Sequence, residues 1–567
     1  MVAVSPFQSC AERPLKGILA TSILMLGLLA AWQPAMAGPA PLRDAPVVWY
    51  ADDMNPIPVP KDNEQPLLKS EYSATISRPI ARAFNPVRWI QGGGTALVVN
   101  SLGEVPNSTF FTNRMGLRSL SVEELTTGPG ADGPDLSEPW TIIGAKMGGV
   151  SMGFRIKDAS GQVWLLKFDP PDHPGQSIRA GVVSNLIVNA CGYHTPVDRL
   201  VIFDREHLQV GEGASIRAVR GVGGDLQLTE ANLDSVLQAT NSFFAGQYHA
   251  LASKFLSGKP VGVVRAKGKR KDDPNDTVPH EMRRDWRGLR IICSWINHID
   301  MKDANSLAMY IGEPGEGYVK RYLIDFASTL GTSGAESFAK FGFEHGLDFQ
   351  ATTRRIFTFG LSHDDWQEIA WPEHLSEVGF WSSERFDPTK WRSISPQSSF
   401  ANCDDHDAYW ATKIISSFTD EDLRILVEQG HYQDERSVDW ITTHLTARRD
   451  IIARTWFDRL APLDFFVHGE DALTGHDLGA ERGVYPDTTP QYRWRVRPVD
   501  AERSGDDWSA WTDASTLAMD PTSGLAACSD DQPFLAISWQ VNRGDQWQGP
   551  VTVYLASRSG RIVAVDR

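Results

Sequence analysis

The chain is 567 residues long, 41% apolar and 22% charged, with 19 tryptophans. That composition suits a large packed core, excludes a disordered chain, and at this length points to about two to four structural units. A net charge of −16 argues against a nucleic-acid surface, which needs a basic excess.

At the N-terminus, Arg13 and Lys16 precede the apolar run GILATSILMLGLLAAW, and Ala35-Met36-Ala37 stands before Gly38. A charged start, an apolar middle and an A-x-A site predict that residues 1–37 are a signal peptide, cleaved on export to the periplasm or beyond. The run is short for a membrane anchor, and no later stretch reaches spanning length, so no stable transmembrane segment is expected after cleavage. Cys10 leaves with the signal. Cys191, Cys293, Cys403 and Cys528 remain, without C-x-x-C spacing, so no zinc site is indicated and disulfide pairing is not readable. Cys191 and Cys293 sit in apolar contexts and read as buried thiols.

Residues 38–139 form an extension rich in Pro and Gly, ending in the turn cluster TTGPGADGPDLSEP. From Trp140 the pattern is strand (WTIIGAKM), Gly-rich turn (GGVSMG), strand (FRIKD), tight turn, and strand (QVWLLKF) carrying Lys167 near its end. SIRAGVVSNLIVNACG has helical spacing and stops at Gly192. RLVIFD is a further strand. LTEANLDSVLQAT, opened by Thr229, and GQYHALASKFLSG both read as helices. A charged segment, KGKRKDDPNDTVPHEMRRDWRGLR, leads into an apolar helix through GLRIICSWINH. SLAMYI and YVKRYLI flank GEPGEG as a hairpin, and long Trp-rich helices follow. From about 476, alternating runs such as QYRWRVRPV and FLAISWQVNRG predict a small β-unit, a sandwich by its pattern. Its Trp-rich stretches suit carbohydrate or protein contact if exposed; buried, they are sandwich core, and that is the expected state.

The stretch WINHIDMKDANSLAMYIGEPGEGYVKRYLIDFASTLG, residues 295–331, concentrates polar chemistry: His298-x-Asp300, Asn305, and Asp325 after an apolar strand. Singly, each piece has an ordinary explanation. A Gly-rich turn is usually only a turn, a strand-end lysine is usually solvated, a loop histidine usually holds the loop, and an aspartate often ends a strand. Their order is what stands out: Gly-rich turn, lysine on a strand, helix, H-x-D-x-x-x-x-N, hairpin, then Asp325-Phe326-Ala327.

In that order, residues 140 to about 460 resemble the protein-kinase-like superfamily, nearer to its atypical secreted members (spore-coat-protein-H-type and secretory-pathway kinases) than to signalling kinases. The resemblance implies an α+β fold: a two-lobed kinase-like domain with a β-rich small lobe (140–228) and a helical lobe (229–475), flanked by the 38–139 extension and the 476–567 β-unit. It implies an exported phosphotransferase or nucleotidyltransferase using ATP with Mg²⁺ or Mn²⁺ on an unidentified protein or small-molecule acceptor, with no nucleic-acid partner. It assigns Gly148 and Gly149 to the phosphates by backbone N–H, Lys167 to the phosphates by charge, Asn305 and Asp325 to the metal, and Asp300 to the acceptor as general base or orienting group. A catalytically inactive kinase-like scaffold or envelope binding protein stays open as the alternative. The helix after Lys167 has no carboxylate, and Gly181 or Asn185 stands where the resemblance places a glutamate. An acid for Lys167 is then to be sought among Asp272, Asp273, Asp276, Glu281 and Asp285, which otherwise read as a solvated loop. Arg283, Arg284 and Arg287 suit either a phosphate or acidic acceptor, or ion pairs on a helix face.

Overall fold

The computed structural model describes residues 40–62, 72–83, 94–147, 153–169, 173–218, 226–238, 243–244, 246–332, 340–372, 374–544 and 546–567. The expected signal peptide, residues 1–37, and the turn glycines Gly148 and Gly149 lie outside them.

Strand β1 (Arg114–Arg118) precedes the first large sheet. That sheet is built from β2 (Trp140–Met147), β3 (Gly153–Lys157), β4 (Val163–Lys167), β5 (Asp198–Phe203), β6 (Leu208–Val210), β7 (Ser215–Ala218), β8 (Leu226–Gln227), β9 (Phe243–Phe244) and β10 (Gln247–Lys254). Its order is β5-β10-β4-β3-β2-β7-β8, with β6 on β2 and β9 on β10. Alternation divides its two faces. Phe154, Trp164, Leu166, Ala250 and Ala252 pack into one buried cluster. The row Gly153, Lys167, Leu251, Leu200, fixed by strand register, belongs to the other face.

The helix expected over GQYHALASKFLSG is instead β10. It pairs with β4 and β5 along most of its length, and its middle residues are buried. Alanine, leucine and lysine favour helix locally, but a slot between two strands offers ladder hydrogen bonds and two packed faces, and these override propensity.

Helix α1 (Ser177–Ala190) crosses the second face of the sheet and is buried on every side. Gly192 ends its overhang with φ +115°. Helix α2 (Glu230–Gln238) follows, and then α3 (Arg284–Trp295), which packs on α4 (Asp405–Ile415). Helices α5 (Asp420–Glu428) and α6 (Glu435–Phe457) complete a helical layer. Asp404, Thr419 and Asp434 cap α4, α5 and α6, each accepting from a first-turn N–H. The helical layer shares one apolar core with α1, through Val183, Ile187, Trp295, Trp410 and Leu445. A three-stranded sheet joins β11 (Lys259–Pro260), β12 (Ser306–Ile311) and β13 (Tyr318–Leu323) in that order.

At the C-terminal end, β14 (Leu463–His468), β15 (Leu473–Asp477) and β18 (Ala518–Met519) form one sheet, and β16 (Gln491–Val499), β17 (Thr512–Ala514), β19 (Phe534–Asn542), β20 (Trp547–Ala556) and β21 (Ile562–Asp566) another. Leu463, Leu473, Leu535, Ile537 and Trp539 fill the core between them. Trp539 is therefore core, as expected for the Trp-rich runs, but three other indoles are not. Trp547, Arg493, Trp511, Arg495, Trp508 and Arg497 alternate in one half-buried stack, at 4.1, 4.5, 4.4, 4.7 and 4.5 Å. The fold is thus mixed α+β, and residues 42–567 form one compact unit. The four described cysteines are free, with Cys191 and Cys293 buried.

Candidate functional site

The β12–β13 hairpin is the device that assembles the site. Ser306 pairs with Leu323, and the Ile324 N–H donates to the Asn305 carbonyl at 3.0 Å, so the loop before β12 and the turn after β13 lie side by side. The distal turn of the hairpin is pinned by Tyr310, whose hydroxyl accepts from the Gly315 and Gly317 N–H groups at 2.9 Å each. Asp325 leaves β13 with φ +65°, a left-handed conformation unusual for a residue other than glycine. Phe326 is buried beside His298, ring centroids 5.5 Å apart, and this anchors Asp325 in place.

Asp325 faces β4. Lys167 Nζ stands 3.1 Å from its Oδ1, with the Asp325 side chain 46% exposed and that of Lys167 23%. Burial pulls the Lys167 ammonium down, but the charges of Asp325 and Asp198 outweigh it and hold the lysine above its ordinary value. On the hairpin side, Asn305 Nδ2 donates to the Asp300 carbonyl at 2.8 Å and to Asp300 Oδ2 at 3.2 Å. Lys302 Nζ lies 2.9 Å from the same Oδ2. His298 is buried, its N–H donating to the Cys293 carbonyl at 2.7 Å. Burial lowers its ring pKa, against the charges of Asp300 and Asp325, and it is the backbone N–H that ties His298 to the end of α3.

Four of the expected residues therefore form two contacting pairs, Lys167 with Asp325 and Asp300 with Asn305, and the hairpin ladder brings the pairs together. Lys302 and Asp198 were missed. Lys302 was legible two positions after Asp300. Asp198 was not, because it reaches the site only through sheet register. It opens β5, opposite Ser253 of β10, and is buried. Asn185 of α1 donates to its Oδ2 at 3.0 Å. Burial raises its carboxyl to about 6, against hydrogen bonding from Ser253, the Lys167 charge and the Asn185 amide.

The acids proposed for Lys167 do not serve it. Asp273 pairs with Arg321, Asp276 with His280 and Asp272 with Arg270; Glu281 accepts from the Gly268 N–H, and Asp285 pairs with Arg283. They brace their own segment and tie it to Arg321 of β13 and to Lys61, and Asp273, Asp276 and Asp285 are buried, not solvated. Arg283, Arg284 and Arg287 are likewise consumed, by Asp285 and Asp407. Of the two positions weighed for a glutamate, Gly181 is a point of close approach. A Cβ there would stand 2.8 Å from Leu251 Cδ1. The one charged side chain of this buried helix, Arg179, is paired with Glu377 at 3.0 Å; toward Lys167 the helix contributes the neutral Asn185, acting through Asp198.

Could the site hold a cation? Among the described residues, no three His, Cys, Asp or Glu side chains converge on one. The donors are the half-exposed Asp325 carboxylate and the Asn305 amide oxygen, whose nitrogen is committed to Asp300. Two hard oxygens suit Mg²⁺ or Mn²⁺ that takes its other ligands from phosphate and water, and do not suit a closed four-ligand site.

No family model and no curated protein matches the chain. Among solved structures, a match is found to the crystal structure of a Helicobacter pylori proinflammatory kinase, CtkA, at 10% identity and a TM-score of 0.29, covering 56% of this chain and 99% of that one.

Proposed function

We propose that the chain is an exported phosphotransferase of protein-kinase-like, two-lobed architecture, binding ATP with Mg²⁺ or Mn²⁺ between the large sheet and the helical layer. The observation that carries this reading is the meeting of Lys167 and Asp325 across 3.1 Å from elements 158 positions apart, beside the Asp300–Asn305 pair. Phosphoryl transfer asks a protein mainly for positioning and charge neutralisation, and these residues supply both. Lys167 attracts phosphate oxygens, oriented by Asp198. Asn305 and Asp325 would hold the cation, which when bound neutralises phosphate charge and orients the transferring group. Asp300 receives or orients the proton of the acceptor hydroxyl. Lys302, against Asp300, sets a positive charge where the incoming phosphoryl group gathers negative charge. The acceptor is a protein or a small molecule with a hydroxyl group.

Calorimetric titration of the exported chain with ATP, with and without Mn²⁺, tests this reading. Metal-dependent binding of one nucleotide is expected. A folded chain that gives no heat with ATP and either metal overturns it in favour of an inactive scaffold. Export itself is checked by N-terminal sequencing of secreted material, which is expected to begin at Gly38. An intact Met1 contradicts it.

A further inference from the structure

The segment RAKGKRK, residues 265–271, sets five cations within seven positions of a chain that carries −16 overall. None of them belongs to the site described above. The segment is strapped to the loop that bears Asp300 and Asn305: the Val264 N–H donates to Ser306 Oγ at 3.0 Å, and the Ala266 N–H to Asp303 Oδ1 at 3.1 Å. Arg270 is fixed inward, its Nη1 donating to the Val261 carbonyl at 2.7 Å.

Beside this strap lies a cavity of about 410 Å³, bordered by Lys61, Arg265, Lys269, Arg270, Lys271 and Arg321, with Asp62 and Asp272 as its carboxylates. Pairing accounts for part of the charge. Arg270 Nε holds Asp272 at 3.0 Å, and Arg321 is neutralised by the buried Asp273 and Asp276. Lys61, Lys269 and Lys271 form no ion pair among the described residues, and only Asp62 remains on the cavity wall against them. Like charges gathered around a concave, low-dielectric wall raise the local potential and favour an anion. The volume is that of a small-molecule site, and ammonium groups around its rim match several charges on one ligand better than a single one.

We propose that this cavity binds a compact small molecule bearing two or more phosphate groups, at a site separate from Lys167 and Asp325. The inference stands whether or not the chain transfers phosphate.

The test is calorimetric titration of the full chain, without divalent metal, using inositol hexakisphosphate in one arm and inorganic tripolyphosphate in the other. One equivalent is expected to bind, with affinity falling as salt screens the lysines. Binding in both arms points to phosphate chemistry alone, and binding of the inositol compound alone to an organic ligand. Lys269→Glu with Lys271→Glu, both on exposed side chains, is expected to weaken binding at least tenfold. Lys269→Gln with Lys271→Gln gives a smaller loss in the same direction and serves if the first pair does not fold. Lys167→Ala is expected to bind as the parent does. Absence of heat at millimolar ligand in both arms, undiminished binding by the lysine variants, or loss of binding in Lys167→Ala would each overturn the proposal.

Discussion

At the scale of single residues, the site separates groups that bind from groups that act late. Asp325 contributes the anionic oxygen of the proposed cation site, so Asp325→Asn is expected to abolish metal-dependent ATP binding in the calorimeter, the fold being retained because its side chain is half exposed. Lys167→Ala removes a point charge from the phosphates and is expected to weaken ATP by about ten- to a hundredfold, the worth of one charged hydrogen bond. Asp300→Asn is expected to leave ATP affinity near that of the parent while lowering turnover by about 10²–10⁴-fold, since a general base matters in the transition state. Equal affinities in all three variants and the parent would contradict the assignments. Asp198 allows a test by pH. Its native carboxyl titrates at about 6, against an ordinary 3.8, so the native state holds the proton more tightly than the unfolded chain. Its contribution to stability is fullest below the ordinary value and falls as pH rises toward about 6, by about 3 kcal/mol. Asparagine does not titrate, so Asp198→Asn should gain stability relative to the parent between pH 3.5 and 7 by about that amount. Urea midpoints at the two pH values measure it, and a pH-independent difference would show that the carboxyl is not the buried, raised group described here.

At the scale of elements, what was legible followed from period and punctuation. The β2–β4 run, α1 with its Gly192 stop, the β12–β13 hairpin and the capped helices each carry their own local signal, and with them came Lys167, Asp300, Asn305 and Asp325. The failures share one cause, dependence on a partner distant in sequence. β10 reads as a helix until β4 and β5 flank it, and Asp198 is ordinary until β10 sets it in register near Lys167. The cation–π stack on β16 had a visible sign, Arg493, Arg495 and Arg497 at alternate positions on one strand face, but the indoles that fill the gaps come from Trp508, Trp511 and Trp547, on two other segments. The same dependence explains why a glutamate does not fit at position 181. Gly181 lets α1 rest against Leu251 of β10, with a Cβ at 2.8 Å already too close. Gly181→Glu adds helix propensity of about 1 kcal/mol but forces a charged side chain into that contact, and overpacking alone costs about 1–3 kcal/mol. A lowered melting temperature with no gain in nucleotide affinity is expected. A variant as stable as the parent would mean that α1 can lift from the sheet.

At the scale of the whole molecule, the C-terminal β-layers are fastened to the rest through buried charge. Asp464, at the start of β14, accepts from Lys413 of α4 at 2.7 Å and pairs with Arg567 at 2.7 Å, while Lys413 also pairs with Glu104. Arg567 further donates to the Leu463 carbonyl at 2.8 Å. Burial works to raise the Asp464 carboxyl, but the two cations overcome it and hold the carboxyl down at about 2. Stability from this group is therefore present above the ordinary carboxylate range and is lost as pH falls toward about 2. Backbone bonds stitch the same boundary, the Leu42 N–H to the Ala501 carbonyl and the Val565 N–H to the Ser101 carbonyl, 2.8 Å each. Removing one cation from such a cluster leaves a buried carboxylate short of a partner, a loss of about 3–5 kcal/mol. Arg567→Ala is accordingly expected to lower the stability of the entire 42–567 unit, with tryptophan fluorescence and far-ultraviolet circular dichroism shifting together in urea. Two separated transitions, the β-layers melting first while α4 and the Lys167 site persist, would instead mean that the cluster joins two independently stable bodies.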